Sequence, residues 1–244
     1  MAVYQRENSY LKILSEREHS IHEIAQKLFI SEPTVRRDIK ELEKKGIIIH
    51  TKGVIKLNIA SPDQRIPIFL RELEQTEEKS EMAHIAIKHI RDGYTIMLDA
   101  STSAYSIIPH LDKFKNLFVI TSGMKSALAL TTLGIKCLCT GGEIVPESFS
   151  YVGTDAEATL RRYRADVAFF SCRGLSNDGI ATDNSIKENS VRRIMIEHSR
   201  KKYLLCDKSK FNKTYLNVLC DTKEISGVIS NTIKVTSKNS HQTY

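Results

Sequence analysis

Thr34, Arg36, Arg37, Lys40 and Lys44 fall on one side of a segment whose apolar positions, Val35, Ile39 and Leu42, recur at i, i+4 and i+7. That spacing predicts a helix over Glu32 to Lys45 with the apolar stripe turned to a core and the hydroxyl and cationic groups turned outward. Arginine grips a phosphate or, through its two-pronged fork, the edge of a guanine. A solvated charged face is the plain alternative for any basic helix. Here the neighbouring elements point to nucleic acid. A helix over about Tyr4 to Leu14 comes first. A second opens at Ser20 with Glu23 three residues on, a capping box, and carries the stripe Ile21, Ile24, Ala25 and Leu28. Phe29 to Ser31 then make a short turn, with Ser31 as cap, Pro33 in the first turn of the outward-facing helix and Gly46 as its stop. Two strand-like pieces, Ile47 to His50 and Val54 to Leu57, flank Thr51, Lys52 and Gly53 and add His50, Lys52 and Lys56. This is the order of a winged helix-turn-helix, whose reading helix puts its N-terminal residues against base edges of double-stranded DNA. The expected DNA contacts are Ser31, Thr34, Arg36, Arg37, Lys40, Lys44, His50 and Lys52.

A second group could hold an anion. Ser101, Thr102 and Ser103 follow a predicted strand and open a predicted helix, where amides and hydroxyls suit a phosphate; Lys210 would add a mobile cation, and Asp99 and Asp207 could accept from sugar hydroxyls. A Ser/Thr cluster at a strand end is ordinarily helix capping, and that reading stays open beside the phosphate one. Cys137 and Cys139 alternate on one strand and read as buried small hydrophobes rather than a redox pair. The histidines have no His-x-x-x-His or Cys-x-x-Cys partner, so no metal site and no cofactor is expected. Arg161, Arg162 and Arg164 read as a solvated helix end, and Ser199 to Lys202 as the cap of the helix before them.

The elements that must position these groups fall into two sets. A break at Asn58 to Pro67 separates residues 1–57, the small DNA-binding domain, from residues 68–244, with 58–67 as linker. Past it, a helical stretch over Ile68 to Ile90 precedes strands at Thr95 to Leu98, Leu117 to Ile120, Ile135 to Cys139, Val167 to Ser171, Tyr203 to Cys206 and Val228 to Ile229. Helices are expected between them over Thr102 to Leu111, Lys125 to Leu133, Asp155 to Arg162 and Ile186 to His198. Apolar strands alternating with helices imply a largely parallel sheet, Rossmann-like, with ligands at the strand C-terminal ends. The chain has 244 residues, 41% hydrophobic and 27% charged, which suits a folded α/β protein rather than a disordered one. Its formal net charge is +7, and basic residues exceed acidic ones by 11 to 8 before residue 58. The N-terminus MAVYQRENSY has no apolar h-region and no apolar run is long enough for a span, so the expectation is a cytoplasmic protein away from membranes.

SEPTVRRDIKELEKKGIIIH resembles the DNA-binding signature of the DeoR family of bacterial transcriptional regulators, with Thr34, Val35, Arg36, Arg37 and Asp38 at its T-[IV]-R-R-D core. Asp38 reads as a structural partner of a nearby arginine, since it would repel phosphate. The family's wing reads His-Gly-Gly-Ala, against His50, Thr51, Lys52, Gly53 here. The resemblance continues through Glu78, Lys79, Ile85 and Ala86. MLDASTSAYSIIPHL is similar to the D-x-G-[ST]-T loop, Thr121 to Gly123 to T-N-[ST], Gly141 and Gly142 to paired glycines, and LLCDKSKF to D-x-[ST]-K-F. It implies an effector domain related in fold to sugar-phosphate isomerases. The implied effector contacts are Lys79, Asp99, Ser101, Thr102, Ser103, Thr121, Ser122, Gly141, Gly142, Asp207 and Lys210. Ser101 stands where the family has Gly, which would reshape the pocket.

The expected function is a repressor of a sugar or carbohydrate operon, released by a phosphorylated sugar and working as a homodimer or higher oligomer because paired half-sites need two reading heads. Two alternatives remain at this point: a sugar-phosphate isomerase-like enzyme using Asp99, Asp207 or Lys210, and a DNA-binding protein whose second domain only assembles.

Overall fold

A computed structural model of the chain describes residue 6 and residues 9–11, 13–14, 17–44, 47–51, 53–58, 68, 71 and 75–231. Lys52, Gly46, the boundary segment past Asn58 and the polar tail after Asn231 lie outside the described residues, apart from Ile68 and Arg71. The chain divides into two compact units, Met1–Glu74 and Gln75–Tyr244.

In the first unit β1 (His19–Ser20) leads into α1 (Ile21–Leu28), and α2 (Glu32–Lys44) follows after the turn. The capping box is present: the Glu23 amide donates to Ser20 Oγ over 3.2 Å and the Ser20 amide to Glu23 Oε2 over 2.8 Å. Phe29 ends α1 in the left-handed region at φ 54°. Ser31 presents its carbonyl to the Thr34 and Val35 amides, while its hydroxyl lies 2.9 Å from that of Thr34. β2 (Ile48–Thr51) and β3 (Val54–Leu57) form the expected antiparallel hairpin, turning at Gly53 with φ 80°. The sequence had not indicated β1, which pairs His19 with Ile55 and makes the wing three-stranded. One apolar cluster closes the unit: Tyr10, Leu11 and Leu14 from the first helical residues, Ile21, Ile24, Val35, Ile39 and Leu42 from the two helices, and Ile48 and Ile55 from the wing.

The second unit does not begin with one helix over Ile68 to Ile90. Gln75 takes the left-handed conformation (φ 51°), which cannot continue a helix, so α3 (Thr76–Ala86) starts afresh and tightens into a 3₁₀ turn, Ile87–His89. The six-stranded sheet is parallel throughout, in the order β14 (Gly227–Ile229), β12 (Ser199–Leu205), β9 (Ala165–Ser171), β4 (Thr95–Leu98), β5 (Phe118–Thr121) and β6 (Cys137–Cys139). Alternation along its strands fills two cores. Ile96, Leu98, Val119, Val167 and Phe169 face Met82, Ala83 and Ala86 of α3, and Met97, Ile120 and Ala168 face Leu160 of α6 (Thr154–Arg161) and Val191 and Met195 of α7 (Ile186–Glu197). α5 (Met124–Thr132) packs beside β6.

Three further expectations need correction. The helix over Thr102 to Leu111 is only α4 (Thr102–Tyr105) and then a 3₁₀ segment, Ile108–Lys113, because Pro109 has no amide to donate to the preceding turn. Ser199 to Lys202 do not cap α7: β12 starts at Ser199, paired with Ala165. Cys137 and Cys139 are half-buried rather than buried, because β6 is the sheet's edge. Short antiparallel pieces escaped the sequence: β7 (Glu143–Val145) with β8 (Ser150–Val152), and β11 (Ile180–Asp183) between β10 (Gly174–Leu175) and β13 (Asn217–Asp221). Among the described residues no helix is long and apolar enough to cross a membrane.

Candidate functional site

Burying Val35, Ile39 and Leu42 turns the other side of α2 outward. The side chains of Arg36, Arg37 and Lys44 are 60%, 71% and 74% exposed, and Lys40 is exposed as well. Their partners are weak: Arg36 to Glu32 at 3.4 Å, Arg37 to Asp38 at 3.7 Å and Lys44 to Glu41 at 3.1 Å. Exposed pairs of this kind are worth about 0 to 1 kcal/mol, so they hold these cations only weakly. Thr34 sits half-buried in the first turn; on the wing, His50 is half-buried and its amide donates to Glu43 Oε1 over 3.1 Å. Asp38 is not free to repel a phosphate, since its Oδ2 accepts from Arg6 Nε at 3.1 Å and from the Tyr10 hydroxyl at 3.2 Å.

In the second unit the loops after β12, β4, β5 and β6 bring the candidate effector residues to one edge of the parallel sheet, the C-terminal ends of its strands. Asp99 follows β4 and is buried. Ser101 does not protrude: its amide and hydroxyl both donate to Asp99 Oδ1, at 3.1 and 2.5 Å, and its oxygen accepts from the Ala104 amide at 3.1 Å. With φ −74° it has no need of glycine's freedom, so the departure from the family loop is absorbed by a cap. Thr102 and Ser103 are buried beside it, and Ser103 Oγ has no hydrogen-bond partner among the described residues. A buried hydroxyl left unpaired is costly, and an anionic oxygen would satisfy it. After β5, Thr121 Oγ1 accepts from the Gly123 amide (3.0 Å), and the Ser122 carbonyl accepts from Tyr151 (2.7 Å). Gly142 must be glycine: at φ 106° an added Cβ would lie 2.6 Å from the Val152 carbonyl oxygen. Gly141, at φ 68°, has open space around it.

After β12, Asp207 is buried, and Lys210 Nζ donates to Ser171 Oγ at 2.7 Å and lies 3.3 Å from Asp207 Oδ2. Burial pushes the Asp207 pKa up, but Lys210 and the Ser209 donors outweigh it and leave it lowered, so this carboxyl is held in its ionised form. Among the described residues, the Lys210 ammonium thus meets Ser171 and Asp207. Lys79, on α3, is buried, and its carbonyl accepts from Ser106 Oγ.

Sequence reasoning missed the buried cluster beneath this edge. Arg192 of α7 donates through Nε to Asp99 Oδ2 (2.9 Å) and through Nη1 to Asp183 Oδ2 (2.9 Å) and Asn189 Oδ1 (3.2 Å). Burial opposes its charge, and the Asp183 and Asp99 carboxylates overcome that and raise its pKa. A signal existed, a charged residue between Val191 and the apolar pair Ile194 and Met195, but Arg193 beside it has the same type. Ser171, the last residue of β9, was within the predicted strand and carried no assignment. Among the described residues no group of three His, Cys, Asp or Glu could hold a metal ion.

The family model described as DeoR C terminal sensor domain matches residues 74–232, and one described as HTH domain matches residues 6–54. The chain belongs to the DeoR family. This DeoR-family chain is 29% identical to the lactose phosphotransferase system repressor of Staphylococcus epidermidis, over 100% of its own length and 98% of the relative's. It is 30% identical to the L-fucose operon activator of Haemophilus influenzae, over 86% and 84%. Among solved structures, eIF2B delta from Chaetomium thermophilum shares the fold, with TM-score 0.50 and 18% identity over 66% of this chain and 60% of that one. A ribose 5-phosphate isomerase A from Methanocaldococcus jannaschii aligns with TM-score 0.43 and 16% identity over 57% and 55%. A DeoR-family chain of this build is a DNA-binding regulator of transcription with a sensor domain.

Proposed function

We propose that the protein represses a sugar or carbohydrate operon in the cytoplasm and leaves its operator when a phosphorylated sugar occupies the second unit. The observation that carries the DNA half is the outer face of α2, where Arg36, Arg37, Lys40 and Lys44 stand exposed and weakly paired around the turn that holds Thr34. Thr34, Arg36 and Arg37 read base edges or grip phosphate near the helix N-terminus, and Ser31, Lys40, Lys44, His50 and Lys52 hold the backbone. The effector half rests on the strand-end edge: the unpaired Ser103 hydroxyl and the Lys210 ammonium are donors that a phosphate would meet. Ser101, Thr102, Thr121, Ser122, Gly141, Gly142, Asp207 and Lys79 shape the walls. Repression rather than activation follows the lactose relative, a repressor, and the fucose relative, an activator, makes activation the competing outcome. The active species is a homodimer or higher homo-oligomer, matching paired half-sites.

An isomerase-like activity is disfavoured for Asp99, because its carboxylate already accepts from protein donors at both oxygens. The test is fluorescence-polarisation titration of the full chain on the DNA upstream of its own operon, with salt and then with a panel of pentose and hexose phosphates. Tight, salt-sensitive binding reversed by one compound is expected. No binding to that or neighbouring promoters, with turnover of a sugar phosphate instead, would overturn it.

A further inference from the structure

Asp99 looks from the sequence like a sugar ligand, but its hydrogen bonds give it other work. Oδ1 accepts from the amide and hydroxyl of Ser101, and Oδ2 accepts from the Ser171 amide (3.1 Å) and Arg192 Nε (2.9 Å). An ionised carboxylate offers about four lone-pair positions, and four donors fill them. A sugar hydroxyl would have to displace one of these donors inside a buried site, leaving that donor unpaired.

We propose that Asp99 and Arg192 are a positioning pair: Arg192 fixes the Asp99 carboxylate, which in turn holds the Ser101–Ser103 loop and the end of β9 in the shape that receives the effector, and neither residue touches it. This rests on the reading of that loop as the effector site. Asp99 is bonded to both Ser101, after β4, and Ser171, at the end of β9. Ser171 Oγ in turn accepts from Lys210 Nζ at 2.7 Å and donates to the Leu205 carbonyl at 2.6 Å. The hydroxyl that accepts from Lys210 therefore belongs to a residue whose amide is pinned to Asp99. Arg192 keeps that carboxylate in one rotamer because its own fork is fixed at the far side by Asp183 and Asn189. The planar guanidinium serves two carboxylates at once; a lysine ammonium, a point charge on a flexible stem, does not reproduce the fork.

The experiment is amide hydrogen exchange on the full chain, wild type against Arg192→Lys and Asp183→Asn, with titration of inorganic phosphate and fructose 6-phosphate. Asp183→Asn keeps an acceptor for Nη1 and leaves the Arg192–Asp99 bond in place. In Arg192→Lys, exchange in the 99–104 loop and at Ser171 is expected to quicken by about tenfold or more, the equivalent of losing one charge-assisted bond, while β5, β6 and the first unit stay within about twofold. Phosphate-ligand affinity is expected to fall by a similar factor while promoter binding in the absence of ligand is unchanged. Asp183→Asn is expected to leave the loop's protection near wild type. Unaltered loop exchange in Arg192→Lys, or equal acceleration in both variants, would overturn the proposal, the latter by showing only a general loosening of the buried cluster. Should wild type bind neither phosphate compound, the effector reading would fail on its own, and the exchange comparison would still decide whether Arg192 holds the loop.

Discussion

At the scale of single residues, charge on α2 is sorted by which way each side chain is drawn. Asp38 is pulled inward by Arg6 and Tyr10, and burial followed by the Asp38 charge pushes the Tyr10 phenol above its ordinary range, so that hydroxyl stays a donor at every working pH. Arg37, one residue earlier, stays 71% exposed with a partner at 3.7 Å, too long for a strong bond. Arg37→Ala is therefore expected to weaken promoter binding by about 1 to 3 kcal/mol. Titration on operator and on random DNA separates two roles: a loss confined to the operator marks a base contact, an equal loss on both marks a phosphate, and unchanged affinity removes Arg37 from the interface. The paired glycines offer a second comparison, free of ligand. Gly142→Ala forces a Cβ to within 2.6 Å of the Val152 carbonyl at φ 106°, whereas Gly141→Ala meets only the left-handed backbone penalty in open space. Urea unfolding should show the first costing about 2 kcal/mol or more and the second about 1 kcal/mol. Equal costs would mean that the Val152 strand yields easily.

At the scale of elements, the capping box makes the entry to α1 sensitive to acid. The Ser20 amide and hydroxyl, and then Arg17, hold the Glu23 carboxyl at about 2, down from 4.5. A depressed folded value means the stabilisation is full above 4.5 and is lost as pH falls through the interval down to about 2. Thermal melts of wild type and Glu23→Gln followed through helicity of the first unit should therefore converge as the pH falls from 5 to 2; curves that stay parallel would show that the box contributes nothing through charge. Ser20→Ala, which removes the acceptor of the Glu23 amide, is expected to cost about 0.5 to 2 kcal/mol at neutral pH. Elements of this kind were legible in the sequence because they are local: Ser20 and Glu23 are three residues apart, and Thr95–Leu98, with its apolar run Ile96 to Leu98, has the observed bounds. The β10–β11–β13 sheet was not legible, since Asp183 pairs with Asn217 across a long stretch of chain and Asn217–Asp221 has no clean alternation. The candidate effector edge was legible as motifs at strand ends. Its floor was not, because Asp99, Ser171, Asp183 and Arg192 come from four separate elements and no local spacing links them.

At the scale of the molecule, two compact units divide the work, and a ligand in one affects the other only through a difference in its affinity for the DNA-bound and free states. Typical couplings of about 1 to 3 kcal/mol correspond to shifts of about 5- to 150-fold in operator affinity, which polarisation titration resolves. A substitution at Lys210 tests whether DNA binding and effector response can be separated. It lies in the second unit, donating to Ser171 and paired with Asp207, whereas the exposed cations of α2 lie in the first. Lys210→Ala is therefore expected to leave both the affinity for promoter DNA and the slope of log affinity against log salt as in wild type, since that slope counts phosphates neutralised by the first unit. Release by a sugar phosphate should disappear, because the ammonium that would meet the phosphate is gone. A variant that still releases DNA at the wild-type effector concentration would take Lys210 out of the effector contact. A variant whose salt slope falls by about one would place the lysine against DNA instead, and would mean that the sensor unit itself touches the operator.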